Sequence, residues 1–236
     1  MALRLSGHAV TMLALSFVSV VGCGGAVVTT SASDPASAAP SATPAGTITP
    51  ASTPSGAVWT VTSASKATVR VREQLVALSF PSDAVLVATG AAGSFQLRDD
   101  GSFSPDSKIS FDLTTLRSDE SQRDNFVKQD TLSVRRFPRA DFVPTKVSGL
   151  TLPLASSGDL SFKLTGKMTL HGTEKEVTFD VQANRDGSDL VATATANPSL
   201  KFADFGMSAP SVPFRVVSVV DEIRLVIDLV ATGPRS

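Results

Sequence analysis

Few side chains in this sequence have the type and company that chemistry requires. Cys23 is the single thiol, and His8 and His171 are the only imidazoles. A lone Cys makes no intramolecular disulfide, and with two His it cannot complete a zinc site of nitrogen and sulfur ligands. His171 is the one imidazole after Cys23, yet it lies in a Leu170-His171-Gly172 turn and no Gly-x-Ser-x-Gly nucleophile motif accompanies it. Its expected duty is to shape that turn. Arg123 and Asp124 could form a catalytic pair, but charge pairing that holds a helical segment against its neighbours is the expected role. Asp99-Asp100 and Asp119-Glu120 place carboxylates side by side. A calcium loop needs several oxygen ligands alternating over about a dozen residues, and neither site supplies them. Adjacency in sequence also fails to set the separation that glycoside hydrolysis needs. Turn and cap duties follow for both, and no catalytic or metal-ligating residue is nominated.

Composition narrows the classes further. Basic and acidic residues number 21 and 22, for a formal net charge of −1, so there is no cationic face to displace counterions from nucleic acid. Hydrophobic residues make up 42% of the chain, enough to build a packed interior. Phe occurs 13 times, Trp once and Tyr not at all. Aromatic bulk without a hydroxyl handle suits apolar surroundings.

The N-terminal region reads as address and tether. Arg4 precedes an uncharged apolar run of about 13 residues, Ala9 to Val21, shorter than the roughly 20 that a membrane-crossing helix needs. This fits a secretory signal peptide over residues 1–22. Val20-Val21-Gly22-Cys23 resembles the lipobox of bacterial lipoproteins, in which the Cys thiol takes a diacylglycerol anchor bearing palmitate-like chains and becomes the new N-terminus. A thiol consumed in this way cannot mispair in an oxidising compartment. From Gly24 to Gly56 Ala, Ser, Thr, Pro and Gly dominate and Asp34 is the only charge, too little apolar area to offset the entropy of ordering. Residues 23–56 are therefore expected to be a lipidated Cys followed by a disordered spacer that Pro residues keep extended.

Residues 57–234 alternate with period two. Ile109, Phe111 and Leu113 form one such set, Leu160, Phe162 and Leu164 a second, Val177, Phe179 and Val181 a third, and Ile223, Leu225, Ile227 and Leu229 a fourth. Trp59-Thr60-Val61 and Thr68 to Val71 read as opening strands, and Ala140 to Val143 as a later one. Turn signals at Asp99-Asp100-Gly101, Ser157-Gly158-Asp159, His171-Gly172-Thr173 and Asp186-Gly187-Ser188 separate the runs. One stretch, about 117–134, lacks the alternation. Ser118 or Asp119 would cap a helix there, Phe126 would face inward, and Pro138 would end it. The expected architecture is all-β, an antiparallel β-barrel of about eight strands with one short helical crossover. Phe95, Phe111, Phe126, Phe142, Phe162, Phe179 and Phe205 are spread over the strands and the helix. Barrels of this size either fill with side chains or hold one ligand, and the residues alone leave both open.

Several motifs carry a resemblance. Trp59, the run Asp112 to Asp119, Arg123-Asp124-Asn125-Phe126, Phe137-Pro138 leading to Asp141-Phe142, Leu164 to Gly172, and Ala203-Asp204-Phe205-Gly206-Met207 together resemble the YceI-like family in order and spacing. The resemblance covers nearly all of 57–234. It implies a lipocalin-like barrel, exported, that holds a polyisoprenoid chain in an apolar lumen. Two departures stand out. Glu174 and Lys175 follow the His-Gly turn where the family more often has Val-Thr, and the basic residue usually found before Asp204-Phe205-Gly206 is missing.

The expected function is that of a membrane-anchored, extracytoplasmic lipid-binding protein, not an enzyme. It needs no cofactor, and its lumen would take an isoprenoid or quinone-like lipid lined by the seven Phe residues. Each buried methylene contributes about 0.8 kcal/mol, so several isoprene units bind tightly without a hydrogen bond. Lipid exchange is expected at a barrel mouth near the membrane. The alternative is an envelope structural or stress-related interaction module with a solid barrel, using the charged 117–136 segment as its contact surface.

Overall fold

Eleven antiparallel strands account for about half of residues 56–234, the part of the chain that the computed structural model describes. They are β1 (Val58–Val61), β2 (Lys66–Leu75), β3 (Ser82–Ala88), β4 (Ala92–Gln96), β5 (Lys108–Asp112), β6 (Arg139–Ser148), β7 (Ser157–Leu170), β8 (Thr173–Asp186), β9 (Asp189–Ala196), β10 (Val216–Val219) and β11 (Arg224–Thr232). Eight of them close a ring in the order β1-β4-β5-β6-β7-β8-β9-β11 and back to β1. Closure leaves no unpaired sheet edge around that ring. The expected eight-stranded barrel is thus present, with β2, β3 and β10 added to its wall.

The addition comes from a bend in one long extended segment. β1 pairs with the C-terminal part of β11 (Thr60↔Thr232), and β2 pairs with the N-terminal part of the same strand (Arg70↔Arg224). The two therefore run one after the other along a single edge, and Val58 and Leu75 lie at opposite ends of the barrel. At the bend between them, the fully buried Ser65 hydroxyl accepts from the Val230 amide at 2.9 Å and donates to the Val230 carbonyl at 3.1 Å. This pairs both backbone groups of Val230 where the ladder is interrupted. β3 then pairs with β2, and β10 extends β2 beyond the end of β11.

Local sequence explains the joins. In the β7–β8 hairpin, His171 and Gly172 both take positive φ, 51° and 76°, the two-residue turn that matches strand twist. His171 has the expected turn role, with its ring edge-on to Phe137 at 5.0 Å. Gly166 in β7 permits a close approach, since a Cβ there would lie 2.4 Å from Cζ of Phe142. Ser157-Gly158-Asp159, expected as a turn, instead opens β7, where it pairs with Asn184 to Asp186 of β8. The long partner strand recruits these polar residues into the ladder.

The crossover is shorter than expected: α1 covers Ser121–Phe126 and a π-helical turn covers Val127–Thr131. Glu120, and not Ser118 or Asp119, is its N-cap, with its carboxylate accepting from the Gln122 amide. Ser118 is taken by Asp124, whose carboxylate accepts from the Ser118 amide and hydroxyl, both at 2.7 Å.

Candidate functional site

Inward residues of a closed barrel meet at its axis, and their size decides whether anything else fits. Here they differ from one wall to the other. On β5 to β8 they are large: Phe111, Phe142, Phe162 and Phe179. Phe142 and Phe179 meet edge to face at 5.3 Å. On β9, β11, β2 and β3 they are small or branched. One row starts at Val181, beyond Phe179 on β8, and continues over those four strands as Ala194, Ile227, Ala67 and Ala88; Ala84 and Ala192, with Ala183 at the far part of β8, add to it. Side chains this short leave more of the axis open than Phe rings would. The barrel therefore encloses a cavity of about 1020 Å³ with almost wholly apolar walls. That is the upper end of the range for ligand sites, and the barrel is hollow where the alternative expected it filled.

Six of the seven nominated Phe residues line this cavity: Phe95, Phe111, Phe126, Phe142, Phe162 and Phe179. Phe205 does not. It is fully buried in the short 3-10 turn Ala203–Phe205, packed into the core beside the cavity, and its carbonyl lies 3.4 Å from Nδ1 of His171. Sequence reasoning missed the small wall, although Ala192-Thr193-Ala194-Thr195-Ala196 alternates as strictly as any Phe-bearing run. It also missed Trp59, Phe103 and Phe202, which line the lumen, and Phe214, which borders its mouth. The expected site of lipidation, Cys23, lies outside the described residues, as do the signal peptide and nearly all of the spacer.

Polar groups gather at the two ends. Near β1, the Arg185 guanidinium lies 5.1 Å over the ring of buried Trp59 and donates to the Ala155 carbonyl at 2.8 Å. At the opposite end, Arg123 of α1 pairs with Glu73 of β2 at 2.9 Å and with Asp119. Glu73 is 8% exposed, and Arg123 is the cation that compensates its carboxylate there. Arg123 therefore holds the crossover onto the barrel, as expected, and Arg215 beside it donates to Gln122. Asp141, on β6, also borders the lumen. Burial pushes its carboxyl up, but hydrogen bonds from Lys108 and Ser110 outweigh this and hold it below its ordinary value of 3.8. The Lys175 ammonium likewise holds Asp204 below that value against the effect of burial. Lys175 thus supplies from β8 the cation that the sequence lacks just before Asp204. Among the described residues, no group of three or more His, Cys, Asp or Glu is arranged to hold a metal ion.

A closed antiparallel barrel, an apolar lumen and one helical crossover are the features the motifs implied, and the family model for the YceI-like domain matches residues 59–231. The chain belongs to the YceI-like family. Among curated relatives, UPF0312 proteins of Pseudomonas putida and Pseudomonas fluorescens are 38% and 35% identical over 124 residues, 47% of this chain. The chain spans 61% of the length of those relatives. Solved structures share the fold at low identity. A polyisoprenoid-binding domain from Saccharophagus degradans superposes with a TM-score of 0.55 at 11% identity, covering 75% of this chain and 98% of that one. BcnA of Burkholderia cenocepacia gives 0.51 at 18%, covering 73% and 99%. The YceI protein of Campylobacter jejuni gives 0.52 at 16%, covering 69% and 91%.

Proposed function

We propose that this YceI-like protein is a membrane-anchored, extracytoplasmic lipid carrier that holds an isoprenoid or quinone-like chain in its barrel. The observation that carries this reading is the 1020 Å³ apolar lumen between the Phe and Ala walls. Binding is by burial: at about 25 cal/mol per Å² of apolar surface, a long hydrocarbon gains affinity without directed contacts. The charged groups at the lumen ends are already paired or hydrogen-bonded by the protein, which leaves the interior suited to a neutral chain. The likeness to a solved polyisoprenoid-binding domain supports the same ligand class. Export and anchoring rest on the apolar leader and the lipobox-like Val20-Val21-Gly22-Cys23, with Cys23 as the acylated residue. The reading requires no catalytic step and no cofactor.

Trp59 offers a direct test, because it is the only Trp and lines the lumen. Titrating the barrel with a long-chain quinone, an efficient quencher of indole emission, is expected to quench Trp59 saturably at one equivalent. Emission that stays constant through a large excess of quinone would contradict the carrier reading.

A further inference from the structure

Large apolar side chains on a water-facing surface are normally scattered singly. Here they are concentrated at one end of the barrel. The β2–β3 loop exposes Val76, Leu78 and Phe80 at 60%, 46% and 80%, the segment leading into β10 exposes Phe214 at 96%, and β10 itself exposes Val217 at 65%. The Val76 amide donates to the Arg215 carbonyl at 3.0 Å, so the two segments form one lip. No charged residue occurs from Gln74 to Ser82 or from Phe205 to Phe214, and Arg215 stands at the base. Val76 and Phe214 also border the mouth of the lumen, so the exposed apolar surface adjoins the ligand site.

We propose that this lip docks into the surface of a lipid bilayer and is the gate through which the lumen loads. The proposal deepens the carrier reading and rests on it. Apolar tips with a cation at their base fit the acyl boundary and headgroup layer of a membrane. The position of the tether agrees. The chain enters the barrel at β1, the end opposite the lip. The 33 residues from Gly24 to Gly56 reach about 100 Å when extended at ~3.1 Å per residue. The barrel, measured along β1 and β2, is at most about 55 Å long. A chain anchored at Cys23 can therefore turn the barrel over and bring the lip to the membrane that holds the anchor.

The barrel segment 56–236 contains its whole core, closes on itself and has no Cys, which permits single labels. An environment-sensitive dye is attached through Phe214→Cys or, at the far end, Val58→Cys, and each protein is mixed with phosphatidylethanolamine–phosphatidylglycerol vesicles (3:1). Brightening of the dye at position 214 but not at 58, with co-flotation that falls more than about tenfold in a Phe80→Asp/Phe214→Asp variant, is the expected result. Absence of flotation, brightening at position 58 alone or at both positions, or a lip signal that appears without vesicles as the protein dimerises, each overturns the proposal. Quinone quenching of Trp59 in vesicle-free solution reads the lumen independently, so a barrel that binds quinone but ignores vesicles fails only as a docking protein.

Discussion

The two walls of the lumen are built from the same kind of strand and do opposite things. On β5 to β8, Phe rings interlock: Phe142 against Phe179 at 5.3 Å, with Met168 beside Phe142 on the neighbouring strand. On β9, β11, β2 and β3, the inward residues are Ala and medium aliphatics, which pack against their own sheet and leave the axis empty. A close-packed interior is what makes a wall rigid, and a missing side chain is what makes a cavity. The difference suggests a division of labour, in which the Phe wall supplies stability and the Ala wall supplies room. Substitutions on the two walls should therefore separate stability from binding.

The largest effect is expected at Phe179, which is 2% exposed. Phe179→Ala should lower the unfolding free energy by about 3–5 kcal/mol in urea denaturation, through lost burial and an enlarged cavity. A loss near 1 kcal/mol would show that the Phe wall does not carry the packing. Next comes the polar end of the lumen. Arg123→Ala strands the buried charge of Glu73 and should cost about 2–4 kcal/mol, of which Arg123→Met combined with Glu73→Leu should recover most. Failure of the double variant to recover stability would point to a role for the charges beyond mutual compensation.

The Ala wall gives the converse result. Ala192→Phe puts a ring into the empty axis and should weaken quinone binding about tenfold or more, while stability falls by only about 1–2 kcal/mol. If Ala192→Phe destabilises the barrel as much as Phe179→Ala, the walls are not different in kind. The smallest effect is in acid. Asp141 and Asp204 have depressed folded-state pKa values, so their contribution is present above pH 3.8 and is lost as pH falls through their lower folded values. The urea midpoint should hold near neutral pH and decline below about pH 4, and Asp141→Asn should reduce that decline.

Much of this was legible in the sequence, and the part that was not has a physical reason. Alternation fixed the faces of β5, β7, β8 and β11, because a strand with one buried face must repeat every two residues. The crossover was visible through the absence of that pattern, but its cap was not: Ser118 has the right chemistry for a cap and is used instead as a donor to Asp124. Large aromatic residues announced six lining positions. Phe205 shows where that cue fails, since a Phe in a 3-10 turn fills the core as well as a Phe on a strand lines a lumen. A cavity is made by what is small, and Ala67, Ala88, Ala192 and Ala194 draw attention only once strand pairing lines them up. The exposed lip was equally hidden, because strand alternation says nothing about loops, and Phe80 and Phe214 stand on loops at the end of the barrel.

The central claim is that the lumen holds an apolar chain, and the most direct measurement is the mass of the protein as isolated. The barrel segment would be purified from bacterial cells without detergent, weighed in its native and denatured states, and extracted with organic solvent. The account predicts a native mass exceeding the denatured mass by one lipid, recovered in the extract as a long isoprenoid or quinone-like chain. Equal masses, an empty extract and no uptake of added quinone or polyprenol would contradict it.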